Sequence, residues 1–220
     1  MTGERDRLPA ETLSPLAKRV DEALAHYRYE MRPAIEAIDA AIEGFGGLFD
    51  PGTADSEKRA AIDAVLAADP PAEPAFDPAA AEAGATEAVL YVDGSSRGNP
   101  GPAGAGAVVQ AGDATLRLGR PVGSRADNNV AEYAALHLGL DALVARFAPE
   151  TVEVRIDSMT VIDAVWGDAE SPEWAAVYRR AIDDRLAAVD ARWTHLVDSD
   201  PNPADARATV GADIAALGPG

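Results

Sequence analysis

Two short apolar runs, Glu87–Asp93 (EAVLYVD) and Thr151–Asp157 (TVEVRID), each end in an aspartate, with a long amphipathic segment between them. Runs of this length read as buried strands, and a helical crossover leads from one to the other in a parallel sense. Both aspartates then emerge at the same edge of one sheet, the carboxyl edge, where open α/β sheets bind ligands. This pair constrains the rest of the chain more than any other feature.

The other elements fall around it. Gly104–Gln110 and Ala114–Pro121 are β-prone runs separated by glycine-containing turns, which extend the first strand into an antiparallel meander. Asn129–Phe147 carries Tyr133, Leu136, Leu140 and Leu143 on one helical stripe. Helices are expected at Ser158–Trp166, Pro172–Val189 and Pro203–Leu217, and a strand at Ala191–Val197. The order β-β-β-α-β-α-α-β-α predicts an α/β fold: a mixed five-stranded sheet with helices on both faces and strands 1, 4 and 5 parallel. Residues 87–220 would form this domain. Residues 1–68 read as a helical acidic extension. Ser14-Pro15 supplies a cap and a first-position proline, Pro33 interrupts or restarts the pattern, and Ile35, Ile38, Ile42 and Phe45 carry it to a stop at Gly46-Gly47. A shorter helix fits Ser56–Ala68. Residues 69–86, rich in Pro and Ala without periodicity, read as a linker.

An aspartate at a strand end is most often a turn former or a helix cap. Two on neighbouring parallel strands repel each other unless a cation bridges them. Two further acids are placed to join them: Glu132 on the opening turn of the amphipathic helix, and Asp205 after Asn202-Pro203, read as a cap and a first-position proline. Such carboxylates, with no His or Cys beside them, form a hard-cation site suited to Mg²⁺ or Mn²⁺ rather than zinc. Two such ions suit in-line displacement at phosphorus. Asp213 offers a rival to Asp205. Asp205 is preferred because it opens the last helix, whereas Asp213 lies two turns along, roughly 12 Å away.

The segments Asp93-Gly94-Ser95-Ser96-Arg97-Gly98-Asn99-Pro100-Gly101, Asn128-Asn129-Val130-Ala131-Glu132-Tyr133, Ile156-Asp157-Ser158 and Ala204-Asp205 resemble, in order and spacing, the four motifs of type 1 ribonuclease H. The resemblance spans about Glu87 to Leu217. It implies a ribonuclease H-like fold and an endonuclease that cleaves the RNA strand of RNA/DNA hybrids using two Mg²⁺ or Mn²⁺ ions. It also implies roles: Asp93 bridging both ions, Asp205 helping to hold the one that activates water, and Glu132 and Asp157 holding the other, with Glu132 near the ribose 2′-OH. Gly94, Ser95, Arg97, Asn99, Asn128 and Asn129 would contact the nucleic acid, and Arg125 and Arg155 are further candidates for phosphate. The sequence departs from the family in three respects. The loop before the last helix carries no histidine, Asn202 stands one residue closer to its aspartate than is common, and no basic helix lies between Trp166 and Ala191. His195 reads as structural, and His26 and His137 carry no functional assignment. The alternatives are a fold-related nuclease for another structured nucleic acid and a non-catalytic binding or scaffold domain. The N-terminal extension is expected to contact the catalytic domain, another subunit or a protein partner.

Composition bounds this reading. The 220 residues contain no cysteine, which excludes disulfides, thiol nucleophiles and Cys-ligated metals. No run approaches the ~18–20 apolar residues of a spanning helix, and the N-terminus does not read as a signal peptide, so the expectation is a soluble, cytoplasmic protein with no membrane partner. The net charge is −18, with 37 acidic against 19 basic residues. Lys18 and Lys58 are the only lysines, and alanine is abundant, which resembles proteins of extreme halophiles. At about 1 M salt the screening length falls to about 3 Å, so a dense carboxylate surface does not prevent contact with phosphates. Folding is accordingly expected to persist in molar salt. Circular dichroism across a salt titration checks this, and loss of structure on adding salt contradicts it.

Overall fold

In the computed structural model, which describes residues 12–71, 87–197 and 199–218, one sheet runs in the spatial order β3-β2-β1-β4-β5. Its strands are β1 (Glu87–Ser96), β2 (Gly101–Ala111), β3 (Ala114–Ala126), β4 (Thr151–Ile156) and β5 (Asp190–His195). β1, β2 and β3 are antiparallel neighbours, whereas β4 runs parallel to both β1 and β5. The helices are α1 (Pro15–His26), α2 (Met31–Ala41), α3 (Asp55–Ala67), α4 (Asn128–Arg146), α5 (Met159–Val165), α6 (Ala176–Leu186) and α7 (Asp205–Ala215). The predicted mixed five-stranded sheet and its parallel trio are present. The linker reading over 69–86 lies outside the described residues from position 72 onward, as does the N-terminal reading over residues 1–11.

Several predicted boundaries move, each for a local reason. β1 does not end at Asp93: its ladder with β2 continues to Ser96↔Ala103, because Gly94, Ser95 and Ser96 face residues as small as Ala105, Gly104 and Ala103. The predicted glycine-rich turn shrinks to Arg97–Pro100, and β3 continues through Pro121 to Ala126 past two register irregularities in its pairing with β2. Pro33 restarts a helix, as the third residue of α2. That helix stops at Ala41, so Phe45, expected on the apolar stripe, is fully exposed. The expected helix at 172–189 splits into a 3-10 turn, Glu173–Ala175, and α6.

Helices α4 and α7 take opposite faces of the sheet. Gly139 of α4 brings that helix onto β1 and β2, where an added Cβ would meet Leu90 and Ala107. The stripe Tyr133, Leu136, Leu140 and Leu143 is fully buried there. On the other face α7 lies against bare backbone. A Cβ at Gly104 would run into the Ala212 nitrogen, and one at Gly106 into the Ala204 carbonyl. Glycine at these positions sets the depth of α7, and therefore where its first residue, Asp205, stands. A second apolar core is built from α1, α2 and α3 and includes Ile214 of α7. Among the described residues no helix is long and apolar enough to cross a membrane.

The close approach of α7 yields a test. Gly104→Ala forces α7 outward, and overpacking of this kind costs about 1–3 kcal/mol. A lowered thermal midpoint is the expected result, and an unchanged one would mean that the helix yields without strain.

Candidate active site

Register places the first two carboxylates. β1 and β4 pair Glu87 with Thr151 and Tyr91 with Arg155, and the same alignment carried two residues further sets Asp157 level with Asp93. Asp93 pairs with Gly106, whose Cα faces the start of α7, so its side chain lies on that side of the sheet. Asp157 follows β4 directly. The cap of α5 is Ser158, whose hydroxyl accepts from the Val161 amide at 3.4 Å, so the capping role considered for Asp157 falls to its neighbour.

Glu132 comes from α4. Asp127 caps that helix by accepting from the Asn129 amide at 2.8 Å. Glu132 is the fifth helical residue, beyond the opening turn where the sequence placed it. Gly94 permits the approach, since a Cβ there would come within 2.5 Å of the Glu132 nitrogen. The Gly94 amide donates to Glu132 Oε2 at 3.1 Å and the Asn128 side chain donates to Oε1 at 3.2 Å. Asp93, Glu132 and Asp157 thus present ligand oxygens that all lie within 4.8 Å of one another. Asp93 and Glu132 are buried, and Asp157 is exposed. Asp205 stands outside that group, exposed on the first residue of α7, yet close enough for its charge to act on Asp93. Asp213 is engaged elsewhere, in an ion pair with Arg97.

The crowding appears in the acidities. Burial, the charges of Asp157 and Asp205, and a hydrogen bond to Asp157 push the Asp93 carboxyl up to about 7. Burial and the charges of Asp157 and Asp93 hold Glu132 well above the usual carboxylate range, and the Gly94 and Asn128 hydrogen bonds offset only part of this. No cationic side chain figures among the groups acting on either residue. A set of oxygen donors alone, partly buried and mutually repelling, fits a divalent hard cation. Asp93, Glu132 and Asp157 are placed to hold one, with Asp205 beside them.

Other sequence-derived candidates fare differently. Asn128 orients Glu132, and its amide donates to the Asn99 side chain at 3.2 Å, which ties the Arg97–Pro100 turn to the start of α4. Asn129 sits partly buried at the same helix start, and Ser95 lies in β1 facing Gly104 across the ladder. Arg155 is held within the sheet face by Glu153 at 3.0 Å and Tyr91 at 2.5 Å. Arg125 is exposed. His195 lies 3.3 Å from the Asp157 carbonyl, on the backbone side of the cluster. Sequence reasoning missed the work of Asn202, which was read as the cap of the last helix. Ala204 is the residue preceding α7. Asn202 accepts from the Ala204 amide at 3.1 Å and donates to the Val92 carbonyl at 3.0 Å, pinning the approach to α7 beside Asp93. The Asn-Pro pair before a helix was the available signal, but it does not reveal the contact with β1.

This strand order, with an acidic cluster where β1 and the end of β4 lie side by side, defines a ribonuclease H-like domain, and comparison with known proteins agrees. The family model for RNase H matches residues 85–188. The bifunctional protein Rv2228c of Mycobacterium tuberculosis is 38% identical over 111 residues, covering 48% of this chain and 30% of that protein. Ribonuclease HI of Halobacterium salinarum is 38% identical over 129 residues, covering 57% and 64%. The crystal structure of RNase H1 from that halophilic archaeon superposes with a TM-score of 0.51 at 34% identity, over 58% of this chain and 98% of the other. LC11-RNase H1, solved in complex with an RNA/DNA hybrid, gives 0.52 at 28% identity, over 57% and 96%. The chain spans less than a third of the mycobacterial relative and just under two thirds of the halobacterial one. It belongs to the type 1 ribonuclease H family.

The raised acidities have a thermodynamic consequence. An acid whose folded pKa exceeds its unfolded value of about 3.9 keeps, when folded, a proton that the unfolded chain has lost. The metal-free fold therefore loses stability as pH rises from about 4 to the Asp93 value of about 7, and the loss is complete above it. In EDTA, Asp93→Asn is expected to melt higher than the parent at pH 8, with the advantage gone near pH 4. Parallel melting curves at every pH would contradict the assignment.

Proposed function

We propose that this chain is an endonuclease that hydrolyses the RNA strand of RNA/DNA hybrids, with Asp93, Glu132, Asp157 and Asp205 holding two Mg²⁺ or Mn²⁺ ions. The observation that carries the reading is the convergence of three carboxylates, two of them buried, within 4.8 Å at the carboxyl end of the parallel strands. Metal dependence is general in this family, and the solved LC11-RNase H1 is a complex with an RNA/DNA hybrid. Bound divalent ions supply charge neutralisation at phosphorus and lower the pKa of a coordinated water.

The chain's own groups do the rest. Asp93, on the face of β1 toward α7, feels the charges of both Asp157 and Asp205 and would help hold both ions. Glu132 and Asp157 would hold one, and Asp205 would help hold the other. Glu132, fixed by the Gly94 amide and Asn128, also suits a hydrogen bond to a ribose 2′-OH, the group that distinguishes RNA from DNA. With its carboxyl pushed up to about 7, Asp93 holds below that pH a proton that must leave when a cation enters, so metal affinity should rise with pH. The Arg97–Pro100 turn and Asn129 lie at the start of α4 beside Glu132, where a sugar–phosphate backbone would pass. Arg97 would exchange Asp213 for a phosphate on binding. A cytoplasmic setting accords with the absence of cysteine.

Incubating a labelled hybrid, duplex DNA and duplex RNA with Mn²⁺ or EDTA separates this reading from its rivals. Cleavage of the RNA strand of the hybrid alone, only with Mn²⁺, is expected. Losing a group that merely hydrogen-bonds to a metal ligand already costs about 10–100-fold, so Asp157→Asn should lower the rate more than about 100-fold while hybrid binding persists. Parental activity in that variant would remove the metal assignment.

A further inference from the structure

Helix α7 is a poor helix in isolation. Its 11 residues include Thr209, Val210 and Gly211, and helices shorter than about 12–15 residues are marginal in water even with strong formers. Tertiary contacts must therefore hold it. Against the sheet those contacts are made by Ala208, Gly211 and Ala212 over the bare backbone of Gly104 and Gly106. This geometry sets depth but offers little apolar area to resist sliding or tilting. The one large, fully buried apolar side chain of α7, Ile214, lies in the core of α1–α3 and not in the core of the sheet. Val210 and Leu217 pack against that same core.

Polar contacts repeat the pattern. The Ser14 hydroxyl donates to the Leu217 carbonyl just past the end of α7, and Gly218 packs against Ser14 and Leu16. Ser124 of β3 donates its hydroxyl to the Ala215 carbonyl and its amide to the Thr12 carbonyl, joining both segments to one edge strand. Met31 fills the space over Gly119, next to the Arg207 carbonyl. The same edge is closed by a bridge between Glu30 and Leu118, by the Gly119 amide donating to the Tyr29 carbonyl, and by a buried Asp21–Arg120 ion pair.

We propose that the N-terminal helical segment is a clamp on α7: Ser14 and the core around Ile214 fix the far end of the helix, Met31 backs its first turn at Arg207, and together they hold Asp205 at the metal site. These are positioning residues, and their role rests on the reading of Asp205 as a ligand. The clamp gives the extension a task at the active site although none of its described residues figures among the groups acting on Asp93 or Glu132.

The test uses the full-length chain. Mn²⁺ binding is measured by calorimetry, and backbone hydrogen exchange is followed across Asp205–Ala215, for the Ser14→Ala/Met31→Ala variant. Ile182→Ala, a cavity in the separate core of the sheet on α6, is the control for general destabilisation. The clamp predicts Mn²⁺ affinity about 10-fold weaker and faster exchange in α7 for the double variant. Ile182→Ala should lower the melting temperature without either effect. In an Asp205→Asn background the double variant should weaken Mn²⁺ binding no further. Unchanged α7 exchange, equal effects from Ile182→Ala, or full additivity with Asp205→Asn would overturn the clamp. If the parent chain binds no Mn²⁺, the metal reading fails, while exchange in α7 still decides whether the clamp exists.

Discussion

The parallel register between β1 and β4 forces Asp93 and Asp157 side by side, and the surrounding structure accommodates the repulsion that follows. Glu132 adds a third carboxylate from above, oriented by the Gly94 amide and Asn128. Burial of Asp93 and Glu132 makes the crowding costly, since a desolvated like-charge pair cannot ionise freely. An arginine among them would relieve this and would also fill the site. The arginines nearest in sequence are committed elsewhere, Arg97 to Asp213 and Arg155 to Glu153 and Tyr91. The repulsion is left to be met by protons, or by cations that a substrate's phosphates can share.

This local acidity differs in kind from the acidity of the whole molecule. Surface carboxylates such as Glu36 and Asp183 pair with Arg32 and Arg179 one helical turn away, and such exposed pairs contribute little. They keep a protein of net charge −18 hydrated and are screened by salt. The cluster at the sheet edge is set apart by burial and by raised pKa values, the usual marks of a functional group of charges.

Small residues make the geometry possible. Gly94 admits α4, while Gly104, Gly106 and Gly119 admit α7 and Met31. The gain is close approach of backbones carrying reactive side chains. The cost is a helix, α7, with few apolar anchors on the sheet, which the N-terminal segment supplies from behind. Pairing along β3 gives that segment a second structural effect, because the strand would otherwise present an open edge.

The sequence by itself determined the element order, the mixed sheet and the candidate acids, because strand and helix periodicity, proline and glycine punctuation, and motif spacing are local properties of the chain. Single residues mark the limits of that reading. Phe45 continued an apolar pattern yet ends exposed, Asn202 looked like a cap yet also binds β1, and the hydrogen bond from Asn128 to Glu132 had no sequence signal. Only the tertiary structure decided which carboxylates are buried together, that Asp213 pairs with Arg97 while Asp205 acts on Asp93, and that the first helices grip the last one. Each of these depends on register and on contacts between residues far apart in the chain, and no local pattern encodes such distances.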